Sequence, residues 1–180
     1  MLSLTPDNAL WPCQLSERLG DSAPRQLWAI GNLALLNAPK TALFCSARCP
    51  GDALLRAYDT AAQLRDQGQT VISGFHSPVE KECLRILLRG SPSLILCPAR
   101  SLNGMRLPGV WRTALTSGRL LLLSPFEAAP HRPTLDSARC RNQLVAALAD
   151  LCFIAHISPG GQMEALSARM KGWSVPAIEL

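Results

Sequence analysis

Residues 137–161 read SARCRNQLVAALADLCFIAHISPGG, and this stretch decides the fold. Ser137 to Asp150 has the composition of a helix, with Arg139, Arg141 and Asn142 at its start. Leu151 to Ala155 is an apolar run of strand length. His156, Ser158, Gly160 and Gly161 follow where that strand ends. Helix, buried strand and glycine turn in succession belong to an open α/β sheet, whose ligands bind beyond the carboxyl ends of the strands. The stretch therefore predicts a site for an anionic ligand.

The same alternation extends toward the N-terminus. Short apolar strands are expected at Thr41–Cys45, Thr70–Ser73, Ser93–Cys97 and Leu120–Leu123, with helices at Asp52–Gln67, Val79–Arg89 and Val110–Thr116. Asp52 is expected to cap the first of these and Gly68 to end it. C-terminal to the deciding stretch come a helix over Gly161–Lys171 and a last strand over Ser174–Ile178. About six strands alternating with helices predict a Rossmann-like three-layer α/β/α fold with a mostly parallel sheet. Residues 41–180 form this domain. Residues 1–40, punctuated by Pro6, Pro12, Pro24 and Pro39, are expected to be an N-terminal extension packing on the core. Within it, Leu27 to Leu36 reads as an extended arm with a turn at Gly31-Asn32.

The composition narrows the function classes. Hydrophobic residues make up 48% of the 180, too many for a disordered chain. The net charge of +5 comes mostly from arginine, which suits planar bidentate phosphate contacts. No apolar run reaches membrane-spanning length, so no membrane partner is expected. The seven cysteines are odd in number and irregular in spacing, and no leader peptide is visible; this fits free thiols in a reducing cytoplasm. Cys45 and Cys49 have no second Cys/His pair at zinc spacing, so no metal and no cofactor is expected.

Polar residues recur at the predicted strand ends: Ser46 and Arg48; Ser73, Gly74, His76 and Ser77; Arg100, Ser101 and Asn103; Ser124; then His156 and Ser158 to Gly161. In a parallel sheet these loops share one edge and can converge. Backbone amides in such turns attract phosphate, and arginines supply charge. His76 and His156 read more readily as hydrogen-bonded loop residues than as bases or ligands. Glu80 and Glu164 suit helix starts. The four tryptophans, Trp11, Trp28, Trp111 and Trp173, are able to stack on bases but are expected to anchor the core or the arm. The dinucleotide fingerprint, the Walker loop and the G-x-S-x-G elbow are all absent.

Several segments together resemble the DNA-processing protein A family (DprA, also called Smf). PRQLWAIGNLALL from Pro24 is similar to that family's opening, and FCSAR keeps the arginine of its first loop at Arg48, with Ser46 and Ala47 in place of Gly-Ser. GQTVISGFHSPVE from Gly68 keeps Ser73 and Gly74, with Ser77 at the family's arginine. GRLLLLSPF keeps Ser124, and RNQLVAALAD from Arg141 resembles R-N-R-I-I-A-G-L-S-D. In FIAHISPGG, Ala155 replaces the family's glutamate. The resemblance runs over residues 24–178. It implies a non-enzymatic protein that binds single-stranded DNA, or a nucleotide, in a basic strand-end cleft, in DNA uptake or recombination.

Further expectations follow from that resemblance. They are a recombinase as a second partner and no room before Leu180 for the family's C-terminal winged helix; a homodimer, through the sheet edge or helices, is a separate expectation that the sequence does not specify. The binding positions the resemblance implies are Arg48, Gly74, Arg141, Asn142, Ser158, Gly160 and Gly161; the strand-end loops and the arginine charge add Ser46, His76, Arg100, Ser124, Arg139 and His156. The alternative is a nucleotide sensor or a phosphoribohydrolase like the cytokinin-activating LOG enzymes. PGGQMEALS keeps their Pro-Gly-Gly at Pro159–Gly161 but lacks their Gly-Thr, so binding is favoured over catalysis.

Overall fold

A computed structural model describes residues 1–46, 49–128 and 132–180. It is a three-layer α/β/α domain around one eight-stranded sheet. The strands in chain order are β1 (Leu2–Leu4), β2 (Leu27–Gly31), β3 (Lys40–Phe44), β4 (Thr70–Ser73), β5 (Leu94–Leu96), β6 (Leu120–Ser124), β7 (Leu151–Ile154) and β8 (Ala177–Glu179). The helices are α1 (Gln14–Leu19), α2 (Gly51–Asp66), α3 (Pro78–Leu88), α4 (Gly109–Thr116), α5 (Leu135–Leu148) and α6 (Gln162–Gly172). The sheet order is β1-β2-β6-β5-β4-β3-β7-β8. From β6 to β8 all pairings are parallel, while β2 runs antiparallel to both β6 and β1.

Six strands were expected and eight are present among the described residues. The two additional ones come from residues 1–40. Residues 27–36, expected as an extended arm packed on the core, divide into β2, a strand of the sheet itself, and a 3-10 turn over Leu33–Asn37. The reason lies in β6, whose five residues LLLLS are all buried. Such a strand is a poor sheet edge, and pairing with β2 satisfies its backbone and covers its leucines. Arg18 of α1 then fixes the N-terminal segment, its Nη1 donating to the carbonyls of Ala147 and Ala149 at 2.8 Å, at the C-terminal end of α5. A guanidinium there meets both the open carbonyls and the negative end of the helix dipole.

Period-two alternation in the strands builds two cores. Ala42 and Phe44 of β3 face the layer of α1, α5 and α6, whereas Leu43 and Cys45 face α2, α3 and α4. All four tryptophans pack against these cores with partial exposure. The cysteines, all free, include Cys83, Cys97 and Cys152, whose thiols burial pushes up to about 12. Asp52 does not cap α2; Pro50 occupies that position and Asp52 instead pairs with Arg56 at 2.9 Å. Gly68 does follow the helix in the left-handed region, at φ 66°. Among the described residues no helix is long and apolar enough to cross a membrane.

The topology places one point apart from the rest. The chain leaves β3 toward β4 on one side, and β7 returns on the other. The loops after β3 and β7 therefore diverge at the strand ends, which opens a crevice at the switch in strand order.

Candidate functional site

The crevice is walled by α5, the turn at Ser158–Gly161 and the start of α6. α5 starts sharply because Thr134 caps it: its hydroxyl accepts from the Ser137 amide at 3.1 Å, and Ser137 returns the bond to the Thr134 amide at 2.9 Å. The helix carries Arg139, Asn142 and Gln143 along one wall. Gly160, at φ 70°, turns the chain into α6 in a conformation that a side chain resists. α6 then presents Gln162, Ala165, Leu166 and Arg169 at i, i+3, i+4 and i+7, one helical face.

Two adjoining hollows result. One, of about 220 Å³, lies between Arg139, Asn142 and Gln143 of α5 and Gly160, Gln162 and Arg169. The other, of about 370 Å³, is lined by Cys45, Ser46, Leu135, Ser158 and Met163. They share Asn142, Gly161 and Gln162, and so form one groove. Ser46 closes it at the base, its hydroxyl donating to the His156 carbonyl at 2.7 Å and tying the first loop to the last.

Of the positions expected from sequence, Ser46, Arg139, Asn142, Ser158, Gly160 and Gly161 line the groove. Arg48 lies outside the described residues. Arg141 is 4% exposed and turned into the protein. Its Nε donates to Asn142 Oδ1 at 2.7 Å and its Nη1 to the Cys97 carbonyl at 3.2 Å. Burial pulls the guanidinium below its ordinary value, while the Glu80 and Cys97 charges act the other way. Gly74 lies against that guanidinium, so closely that a Cβ there would stand 1.4 Å from Arg141 Nη1. Arg141 thus orients Asn142 from within, and Gly74 makes room for it.

His76 is exposed in the loop after β4, away from the groove lining. Desolvation, then the charges of Arg141 and Lys81, hold its imidazole below the ordinary value. Ser124 is fully buried and donates to the Arg100 carbonyl at 2.8 Å, so both shape the loop after β5. His156 contributes its carbonyl to Ser46.

Several of the loop amides expected to hold an anion, those of Cys45, His76, Ser77 and Gly160, have internal partners. Both oxygens of the buried Glu80 accept backbone amides: Oε1 from Cys45 at 3.1 Å, and Oε2 from His76 at 2.8 Å and Ser77 at 3.2 Å. Glu164 Oε2 accepts from the Gly160 amide at 2.8 Å. Each acid belongs to the first turn of the following helix, where it also meets the positive end of the dipole. Among the described residues, positive charge in the groove rests instead on Arg139 and Arg169, both exposed. Arg169, Gln143 and Gln162 went unnoticed in the sequence. The i, i+4 spacing of Arg139 with Gln143 and the i, i+7 spacing of Gln162 with Arg169 were the signals that point to them. Among the described residues no cluster of three or more His, Cys, Asp or Glu is placed to hold a metal.

Comparison with solved structures finds the same architecture elsewhere. DNA processing protein A from Streptococcus pneumoniae superposes with a TM-score of 0.79 at 20% identity, over 98% of this chain and 61% of that one. The chain therefore spans less than two thirds of that protein. The Helicobacter pylori protein of the same name, described for its single-stranded DNA binding mode, gives 0.76 at 22% identity, over 98% and 80% of the two chains. A molybdenum cofactor binding protein from Rippkaea orientalis shares the fold more distantly, with a TM-score of 0.55 at 12% identity over 79% and 76%. Among curated proteins none matches the sequence. The model of one family, DNA recombination-mediator protein A, matches residues 3–168. With that match over nearly the whole length, the chain belongs to the DNA recombination-mediator protein A family.

Proposed function

We propose that this chain binds single-stranded DNA, without chemical turnover, along the groove between α5, the Ser158–Gly161 turn and α6. The observation that carries the reading is the position of Arg139 and Arg169 on two facing helices at the switch point of the sheet, with the amides of Asn142, Gln143 and Gln162 between them. Two guanidinium groups neutralise phosphates of a passing strand and release counterions. The side-chain amides donate to phosphate and base oxygens alike, which favours binding without strict sequence preference. The single-stranded DNA binding named for the Helicobacter pylori protein supports the same assignment. Delivery of the strand to a recombinase, dimerisation and a cytoplasmic setting extend this reading.

A nucleotide-hydrolysing alternative needs a free acid beside the groove. Glu80 and Glu164 are instead engaged with backbone amides. Release of free base from nucleoside monophosphates would revive that alternative.

Titration with oligo-dT at two salt concentrations tests the proposal. Affinity falls with salt, and Arg139→Ala lowers the log–log slope by about 0.7, the share of one single-strand phosphate contact. Absent or salt-independent binding overturns it.

A further inference from the structure

We infer that Arg169, backed by the Trp173 ring, is a stacking platform for one unpaired base of the bound strand. This rests on the single-stranded DNA reading above and names what the groove recognises besides backbone. Trp173 follows the last residue of α6. Its amide is fixed there by the carbonyls of Arg169 at 3.2 Å and Met170 at 3.1 Å. Its ring packs on the apolar core beneath α6 and remains partly exposed. The Arg169 guanidinium stands over that ring, its Cζ 5.3 Å from the centroid.

Two facts separate this pair from an ordinary surface contact. Arg169 is at the same time a wall of the groove, opposite Arg139 and Gln143. Among the described residues it has no carboxylate within salt-bridge distance, whereas Arg56, Arg65 and Arg85 each have one. Its charge is therefore unspent, and the indole restrains the side chain that carries it. A guanidinium is planar and weakly hydrated, so a nucleobase can stack on it while the ring supports the other side. Stacking of this kind tolerates any base, because every base has a π-face.

The test compares oligo-dT with an abasic strand of equal length and equal phosphate count, at one salt concentration. Wild-type protein binds oligo-dT about tenfold more tightly, the size of one stacked base. Arg169→Lys keeps the charge and removes the plane. Whatever the variant's absolute affinity, the ratio of its affinity for oligo-dT to that for the abasic strand falls from about tenfold to about twofold or less. Trp173→Leu, which removes the backing, shifts the ratio the same way. Equal wild-type affinity for the two strands overturns the stacking platform and leaves the DNA reading intact. So does a preference that survives Arg169→Lys. Failure of both strands to bind overturns the DNA reading itself.

Discussion

Replacing Gly74 by alanine tests whether Arg141 is held as the structure has it. The new Cβ would stand 1.4 Å from Arg141 Nη1, 2.0 Å from Cζ and 2.7 Å from Nε. Ordinary contacts between heavy atoms begin near 3.5 Å, so the guanidinium must retreat by about 2 Å. That movement breaks its bonds to the Cys97 carbonyl and to Asn142 Oδ1, now 3.2 and 2.7 Å. Each hydrogen bond from a charged donor contributes about 1.5–3 kcal/mol net, and escape of the guanidinium to water recovers part of the loss. The expected cost is about 3 kcal/mol, well short of the roughly 5–15 kcal/mol that keeps a domain folded. Gly74 does not have the positive φ of a left-handed glycine, so alanine brings no backbone strain of its own. Urea unfolding of the single variants and the double variant isolates the cause. With Arg141→Ala already present, the clash is gone and Gly74→Ala costs under about 1 kcal/mol, a coupling of roughly 2 kcal/mol. Equal costs in the two backgrounds would refute the packing of Arg141 over Gly74.

Three further outcomes are expected. Glu80→Gln replaces one acceptor oxygen by a donor among three backbone amides, so stability in urea falls by roughly 1–3 kcal/mol; no change would show that the loop amides have other partners. His76 has its pKa held down in the folded state, so the unfolded chain takes up the proton more readily. Stability is therefore lost as pH falls through the ordinary value of 6.5, and His76→Gln flattens that part of the stability profile; an unchanged profile contradicts it. Ser46→Ala removes the bond to the His156 carbonyl, costs about 1 kcal/mol in urea unfolding, and raises hydrogen exchange in the loops after β3 and β7; unaltered exchange would mean that the tie does not hold them together.

Local pattern alone determined much of this protein. The apolar runs at Thr70–Ser73 and Leu120–Leu123, the helix periodicity between them and the Pro159-Gly160-Gly161 turn specify a parallel α/β sheet. A continuous apolar run of strand length and a 3.6-residue helical period are local features, readable irrespective of partners. β1 and β2 were not legible as strands of the sheet, because antiparallel pairing with β6 is a contact between residues about ninety positions apart. The site divides along the same line. Ser46, Ser158 and Gly161 sit beyond strand ends, a position readable from sequence, whereas Asn142 lies in the middle of α5. Whether a side chain in such a place faces ligand or core is not readable. Arg139 and Arg141 are two residues apart on one helix, and the 3.6-residue turn points one outward and the other inward. Only the packing of Gly74, Cys97 and Glu80 around Arg141 turned that guanidinium into a support and, among the described residues, left the groove's charge to Arg139 and to Arg169, a residue of a different helix.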